Sequence, residues 1–482
     1  MKLELVISEL KGAEVTGPID REIVGIAFDS RRVKPGELFV AVKGIAADGH
    51  AFISSALESG ATAVVSEEAP LSGYRGVTWL RVSDSRRALA LMASAYHGHP
   101  SRELHLVGIT GTNGKTTIAT LLHRVHTGLG YRTGLLSTIQ VMVGEEPYPA
   151  THTTPDPLQI NQYLRKMVDA GCGFCFMEVS SHAIDQKRVE GLQFRGGAFT
   201  NLTREHLDYH GDFKSYRDVK KRFFDSLLPD AFALVNADDK NGMVMLQNCR
   251  AVKHTYSLRT MSPFMGKINE MHLEGSSLEI NGQEVWVRLP GRFNAANLLC
   301  TYGISVLLGQ RQGDVLEEIS RVEPVRGRFE TWQSSRGITG IVDYAHTPDA
   351  LANVLETIRE VNLQGGEVIT VVGAGGDRDR GKRPMMARIA VEASHKVILT
   401  SDNPRSEDPE KILDDMMEGV TEGNRNRVLR VTDRAEAIRT ACMLAGERDI
   451  ILLAGKGHEE TQVIGDRKIA FNDMEILQEH LN

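Results

Sequence analysis

Residues 104–117 constrain this chain more than any other stretch. The apolar run Leu104–Thr110 leads without a break into Gly111-Thr112-Asn113-Gly114-Lys115-Thr116-Thr117, and a helical pattern follows from Ile118. The order is strand, glycine-rich loop, helix. Glycines let backbone amides approach phosphate oxygens closely, and a helix N-terminus adds partial positive charge. Lys115 can reach the outer phosphates of a nucleotide, and the Thr116 hydroxyl can bind Mg²⁺. The strict phosphate-loop pattern would have glycine at position 109, where this chain has Ile109. The GKTT tail after a strand keeps the signal specific. A tight turn that binds nothing is the competing reading, but a lysine directly after such a glycine has little structural reason.

Other compact apolar runs surround this unit: Glu37–Val42, Ala61–Ser66, Gly173–Val179, Ala231–Asn236, Glu367–Val372, Lys396–Thr400 and Asp449–Ala454. Helix-length segments separate them, which predicts an α/β fold with largely parallel sheets. At about 150 residues per domain, 482 residues suggest three domains. Breaks at His97–Ser101 and Pro324–Arg328 divide the chain accordingly. We expect a small N-terminal α/β domain (residues 1–99), a central P-loop ATPase-like parallel-sheet domain (100–326) and a C-terminal Rossmann-like α/β domain (327–482). Lys253–Pro290 reads as short strands with turns such as Asn281-Gly282, before a helix over Asn294–Leu308.

Composition removes several classes. Acidic residues outnumber basic ones, 63 against 56, so the chain has no global attraction to nucleic acid or anionic membrane. Five cysteines are too few and too odd for a disulfide framework, which suits a reducing compartment. Cys172 and Cys175 form a CxxC, but no second ligand pair follows at zinc spacing, so we expect buried strand thiols. The N-terminus lacks an uninterrupted signal-peptide core, and no apolar stretch approaches the roughly 18 residues of a membrane span. A soluble cytoplasmic protein is expected.

Two further clusters carry chemistry. Glu178 ends an apolar strand and could complete Mg²⁺ coordination; His206 follows another short strand. In the C-terminal third, three apolar strands end in polar loops containing Arg378, Asp402-Asn403-Pro404-Arg405 and Gly455 to Glu459. Loops at the carboxyl ends of parallel strands converge on a ligand crevice. They would bring Arg378, Arg405, Asp402 and Glu459 around a molecule with both carboxylates and ammonium groups. Gly373-Ala374-Gly375 after a strand hints at a dinucleotide fingerprint, but its third glycine should stand where Arg378 does, so an NAD site is not expected.

The ordered motifs TGTNGKTT (110–117), MEVSSH (177–182), NLTREHLDYHGD (201–212), GRFNAANLL (291–299), GRFE (327–330), VDYAHTPDAL (342–351) and AGKGHE (454–459) resemble the Mur ligases of peptidoglycan synthesis. Within that family they are similar to the branch that adds the third residue to UDP-N-acetylmuramoyl-L-alanyl-D-glutamate. The resemblance implies that ATP turns a substrate carboxylate into an acyl phosphate, which an incoming amine attacks. The products would be amide, ADP and phosphate. It implies Thr116 and Glu178 on one Mg²⁺, and Glu178 with His206 on a second. It also implies a CO₂-derived carbamate on Lys220 (N6-carboxylysine), again facing the second ion. Lys115, Glu178, His206 and Lys220 would be the catalytic set. ATP would be held by Gly111–Thr117 with Asn297, Arg328, Asp343 and His346, and domain closure would complete the site. Ser30, in FDSRR (28–32), would contact the uridine end, and Thr153, Thr154, Ser180, Gln186 and Arg188 the muramoyl dipeptide.

The tetrad Asp402-Asn403-Pro404-Arg405 resembles the pattern of family members that use meso-diaminopimelate. Arg405 would then take the distal carboxylate, with Arg378, Gly455 and Glu459 nearby. An arginine so placed gains a charge-assisted pair with diaminopimelate and is left unpaired by lysine. Small-molecule substrates and a monomer are expected, with no nucleic acid and no membrane insertion. The alternatives are the same ligase adding L-lysine, a folylpolyglutamate synthetase-like ligase, and a P-loop regulatory or transport ATPase that makes no covalent product.

Overall fold

The computed structural model describes every residue except Ile45, Ala46, Ser72, His206, Gln364 and Asn482. Three sheets follow one another along the chain. The first has five strands in the order Glu14–Thr16, Thr78–Arg81, Ala63–Ser66, Leu38–Val40, Ile26–Ala27. Its neighbours are parallel except at Glu14–Thr16. The helix Ser85–Tyr96 covers it, with Asp84 capping the helix through the Arg87 amide.

The central sheet has eleven strands. Its middle runs Phe264–His272, Val252–Ser257, Phe232–Asn236, Gly196–Phe199, His105–Thr110, Phe174–Glu178, Thr133–Leu136, with every neighbouring pair parallel. Alternation along these strands loads both faces. Leu106, Cys175, Met177, Phe199 and Val235 fall in one core. Val107, Ile109, Phe176, Ala198 and Leu234 fall in the other. Helices Lys115–Gly128 and Arg292–Leu307 close the second core, and Pro157–Asp169 and Phe213–Asp225 the first. Both faces being dry explains why these strands read as unbroken apolar runs.

The segment 253–290 does form short strands, and they extend this sheet as an antiparallel edge, Gly275–Ile280 and Gln283–Val287. Asn281 and Gly282 turn the hairpin with φ of 48° and 80°, the double left-handed turn that Asn-Gly favours. All five cysteines are buried and free. Cys175 lies in its strand as expected, whereas Cys172 lies just before it.

The third sheet has six strands, Glu330–Gln333, Thr339–Asp343, Ile450–Ala454, Val368–Ala374, Lys396–Ser401, Val428–Arg430, parallel except at the first. It too has a core on each face. Among the described residues no helix is long and apolar enough to cross a membrane.

Candidate active site

The carboxyl ends of the central and C-terminal strands contribute to two adjoining cavities. One, of about 560 Å³, is lined by residues 112–117 of the glycine loop together with Glu178, Asn297, Arg328, Asp343 and His346. The other, of about 580 Å³, is lined by Arg378, Asp402, Asn403, Arg405, Gly455 and Glu459. Thr153, Thr203, Glu205, Tyr344, His346 and Asp349 line both.

The loop geometry suits an anion. Gly111 and Gly114 have φ of 150° and 87°. A Cβ at Gly114 would lie 2.5 Å from Asn297 Oδ1, and one at Gly111 would collide with the Thr200 hydroxyl. Gly114 caps the helix Lys115–Gly128 without a side-chain hydrogen bond, so the first amides stay available to a ligand. Lys115 Nζ donates to the carbonyls of Gly111 and Thr112 at 3.0 and 2.7 Å. Desolvation pulls its pKa below the lysine range, against the opposing pull of Glu205 and Glu178.

Glu178 is 1% exposed. Its Oε1 accepts from the Thr138 amide at 2.6 Å, while Oε2 is buried with no hydrogen-bond partner. An orphaned carboxylate oxygen costs free energy unless something meets it. It shares a cavity with the Thr116 hydroxyl, so the two could hold a divalent cation. Among the described residues no three His, Cys, Asp or Glu side chains form a ready metal cage. Mg²⁺ keeps waters and takes further ligands from substrate phosphates, so two protein oxygens could serve it. His206, expected as a ligand, lies outside the described residues.

Lys220 is 1% exposed, from the helix Phe213–Asp225. Its Nζ donates to the Gly111 carbonyl at 2.8 Å and lies over the Tyr216 ring. Burial first, then the Lys115 charge, hold its pKa well below the lysine range. Burial that disfavours protonation favours the free amine that attack on CO₂ would require.

Arg328 crosses from the C-terminal segment. Its Nη2 donates to Thr116 Oγ1 at 3.2 Å, and its guanidinium stacks on Tyr344 at 4.4 Å. Asp343 is buried and accepts from the Phe329 amide at 2.7 Å. Burial raises its pKa to about 6, with Arg328 the main opposing influence. His346 meets the Tyr344 carbonyl at 2.8 Å through Nδ1 and Glu205 at 3.1 Å through Nε2. Asn113 meets Asp349 at 3.2 Å. The central and C-terminal parts are thus in contact at three points around the loop.

In the second cavity Arg405 donates to the carbonyls of Gly376 and Asn403. Burial and the nearby Arg378 lower its pKa. Asp402 is 6% exposed, and its Oδ1 has no hydrogen-bond partner, with the Lys456 ammonium 3.7 Å away. Arg378 is exposed and donates to the Asp377 carbonyl. Asn403 donates to Glu459 at 2.8 Å. Pro404 puts its carbonyl so close to Gly376 that a Cβ there would collide with it.

The residues expected at the dipeptide divide. Thr153 lines both cavities. Thr154, Ser180, Gln186 and Arg188 form one network beside the Glu178 strand end and line neither cavity. Thr154 donates to the Glu178 carbonyl and accepts from the Ser180 amide. Arg188 donates to the Thr154 carbonyl and to Gln186. Ser30 opens a short helix, Ser30–Arg32, in the N-terminal sheet region and lines neither cavity.

Three family profiles match successive parts of the chain: Mur ligase family, catalytic domain, at residues 22–97; Mur ligase middle domain at 109–305; and Mur ligase, glutamate ligase domain, at 327–457. The chain is a Mur ligase. Similar curated Mur ligases match over the full length. The UDP-N-acetylmuramoyl-L-alanyl-D-glutamate–2,6-diaminopimelate ligases of Parabacteroides distasonis and Phocaeicola vulgatus are 54% and 53% identical over 479 residues, 99% of each chain. A solved structure of a ligase with that same name matches with a TM-score of 0.69 at 31% identity, covering 100% of this chain and 98% of the other. A folylpolyglutamate synthase of Thermotoga maritima shares the fold, with a TM-score of 0.58 at 16% identity over 77% of this chain and 90% of its own.

Sequence reasoning passed over several residues of this Mur ligase site. Lys456 is fully buried and donates to Glu459, Thr461 and Asn403. Lys456 lines neither cavity, whereas Glu205 and Tyr344 line both and Lys382 lines the second. AGKGHE, VDYAHTPDAL and NLTREHLDYHGD contained three of them, Lys456, Tyr344 and Glu205, but only spatial proximity singles them out.

Proposed function

We propose that this Mur ligase joins meso-2,6-diaminopimelate to UDP-N-acetylmuramoyl-L-alanyl-D-glutamate in cytoplasmic peptidoglycan-precursor synthesis, consuming ATP and releasing ADP and phosphate. One observation carries the choice of amino acid. Arg405 lines the second cavity with no carboxylate in ion-pair range among the described residues, and Asp402 beside it has a buried oxygen without a hydrogen bond. Lys456 stands 3.7 Å from that oxygen, beyond hydrogen-bond distance, so a cation without a carboxylate partner lies beside a carboxylate with an open hydrogen-bond position, and together they complement one amino-acid centre. Diaminopimelate carries such a centre at its far end. Lysine offers only the ammonium and would leave Arg405 unpaired. The names of the full-length relatives point the same way.

The chemistry follows from charge. A substrate carboxylate must approach the γ-phosphate, another anion. Loop amides and Lys115 would hold the phosphates, and Arg328 would face the charge that develops on transfer. Thr116 and Glu178 Oε2 would hold Mg²⁺, with His206 and the carbamate of Lys220 near a second ion. When bound, the metal would offset phosphate charge. The carboxylate oxygen attacks phosphorus and ADP leaves. The amine nitrogen then attacks the acyl carbon, loses its proton, and phosphate departs as the amide forms. Thr153, Thr154, Ser180, Gln186 and Arg188 would align the dipeptide, and Ser30 would meet the uridine end.

The test is a product-mass assay with UDP-muramoyl dipeptide, ATP and equal diaminopimelate and lysine. The tripeptide mass for diaminopimelate should dominate. A lysine product in equal yield would defeat the amino-acid assignment, and ATP turnover indifferent to both substrates would defeat the ligase.

A further inference from the structure

The amino-acid cavity contains a cation that the chemistry above does not use. Lys382 opens the helix Lys382–Ala393 and lines the cavity. Its ammonium has three donors. One goes to the His346 carbonyl at 2.9 Å, and among the described residues no carboxylate lies in ion-pair range. Neighbouring cations differ. Arg383 is neutralised by two carboxylates, Glu407 and Asp415, and also donates to the Gly375 carbonyl. Lys456 is saturated by Glu459, Thr461 and Asn403. Burial lowers the pKa of Lys382, while Glu205, Asp402 and Asp379 act at longer range to raise it. A half-buried, under-partnered ammonium carries a desolvation cost that a guest carboxylate would offset.

Counting charges shows which carboxylate. Diaminopimelate has two carboxylates, one ammonium and one amine that must be free to react. On the diaminopimelate reading, Asp402 complements the ammonium and Arg405 the distal carboxylate. The carboxylate beside the reacting amine remains. Its partner should stand near the wall common to both cavities, because there the amine meets the acyl phosphate. Lys382 is tied to His346, which belongs to that wall. Arg378 is exposed and turned to the Asp377 carbonyl.

We propose that Lys382 binds the carboxylate of the reacting centre and so aims its amine at the nucleotide cavity. This inference rests on the proposed ligase activity. Because every α-amino acid has this carboxylate, Lys382 serves acceptance in general, whereas Arg405 serves the choice of diaminopimelate.

Steady-state phosphate release by the full-length enzyme, with saturating ATP and UDP-muramoyl dipeptide, tests it. Lys382→Met should raise KM for diaminopimelate at least tenfold while KM for ATP stays within twofold, and Lys382→Arg should recover part of the loss. Lysine as acceptor should suffer the same factor from Lys382→Met, although Arg405→Met penalises diaminopimelate alone. Diaminopimelate amidated at the reacting centre should be poor for wild type and no poorer for Lys382→Met. An equal penalty on free and amidated acceptors, or an unchanged KM for diaminopimelate, overturns the inference. The same dependence on the amide in Arg378→Met instead of Lys382→Met also overturns it. If Lys382→Met does not fold, Lys382→Gln gives the same comparison. Wild-type enzyme that forms no tripeptide overturns the ligase reading and this inference with it. Normal wild-type turnover with an indifferent Lys382 overturns the inference alone.

Discussion

Lys115 stands at the first position of its helix, where alanine is at least as good a helix former as lysine. Its ammonium is partly desolvated against two carbonyls. Removing it should therefore spare the fold and end the chemistry. Lys115→Ala is expected to cut substrate-dependent phosphate release by about 10²–10³-fold, as loss of a charge-stabilising group does, with no fall in melting temperature. Asp343 gives a prediction with a sign. Its pKa is about 6 in the folded chain against an ordinary 3.8. The folded state thus holds the proton more tightly than the unfolded one. The associated stability is present below about pH 4 and is lost as pH rises to about 6. The span is of order 3 kcal/mol. Asp343→Asn should remove it, so thermal melts of variant and wild type should separate by several degrees more at pH 8 than at pH 4. Lys115 and Glu178 were legible because a local pattern marks them: a glycine loop for one, the end of an apolar run for the other. Lys382 was not, and Glu205 stood in a quoted motif without a role, since their partner His346 lies 36 and 141 positions away.

The elements that could be read were those with two dry faces. His105–Thr110 and Phe174–Glu178 are buried on both sides and appear in sequence as apolar runs with clear ends. The hairpin Gln140–Val143 with Glu146–Pro149 was invisible by the same logic. It lies at the sheet edge, its second strand is largely exposed, and prolines at 147 and 149 break the pattern. Proline on an edge strand also blocks further pairing. Among the connections, the glycine loop leaves little room for a side chain. Gly114 combines φ of 87° with an Asn297 oxygen 2.5 Å from where a Cβ would sit. Gly114→Ala should cost about 1–3 kcal/mol from backbone strain alone. It should also push Asn297 out of place and raise KM for ATP. Urea unfolding together with ATP titration checks both; an unchanged stability and KM would mean that the loop relaxes freely.

At the scale of the molecule, the site belongs to no single sheet. Thr116 with Arg328, Glu205 with His346 and Asn113 with Asp349 join the central and C-terminal parts around the two cavities. Interfaces of this polar kind permit relative motion unless a ligand bridges them. A nucleotide between the glycine loop and Arg328 would be such a bridge, which ties turnover to approach of the two parts. Arg328 makes the sharpest test, because its guanidinium reaches the loop while its stacking on Tyr344 is local to the C-terminal part. Arg328→Ala should leave each part folded, with the thermal melt near that of wild type. Turnover at saturating ATP should fall about 10²–10³-fold, the usual effect of one charge-stabilising donor. Small-angle scattering should show a larger radius of gyration with a non-hydrolysable ATP analogue than wild type has under the same conditions. A variant as compact as wild type but equally slow would confine Arg328 to phosphate chemistry. One that is expanded yet fully active would separate closure from catalysis altogether.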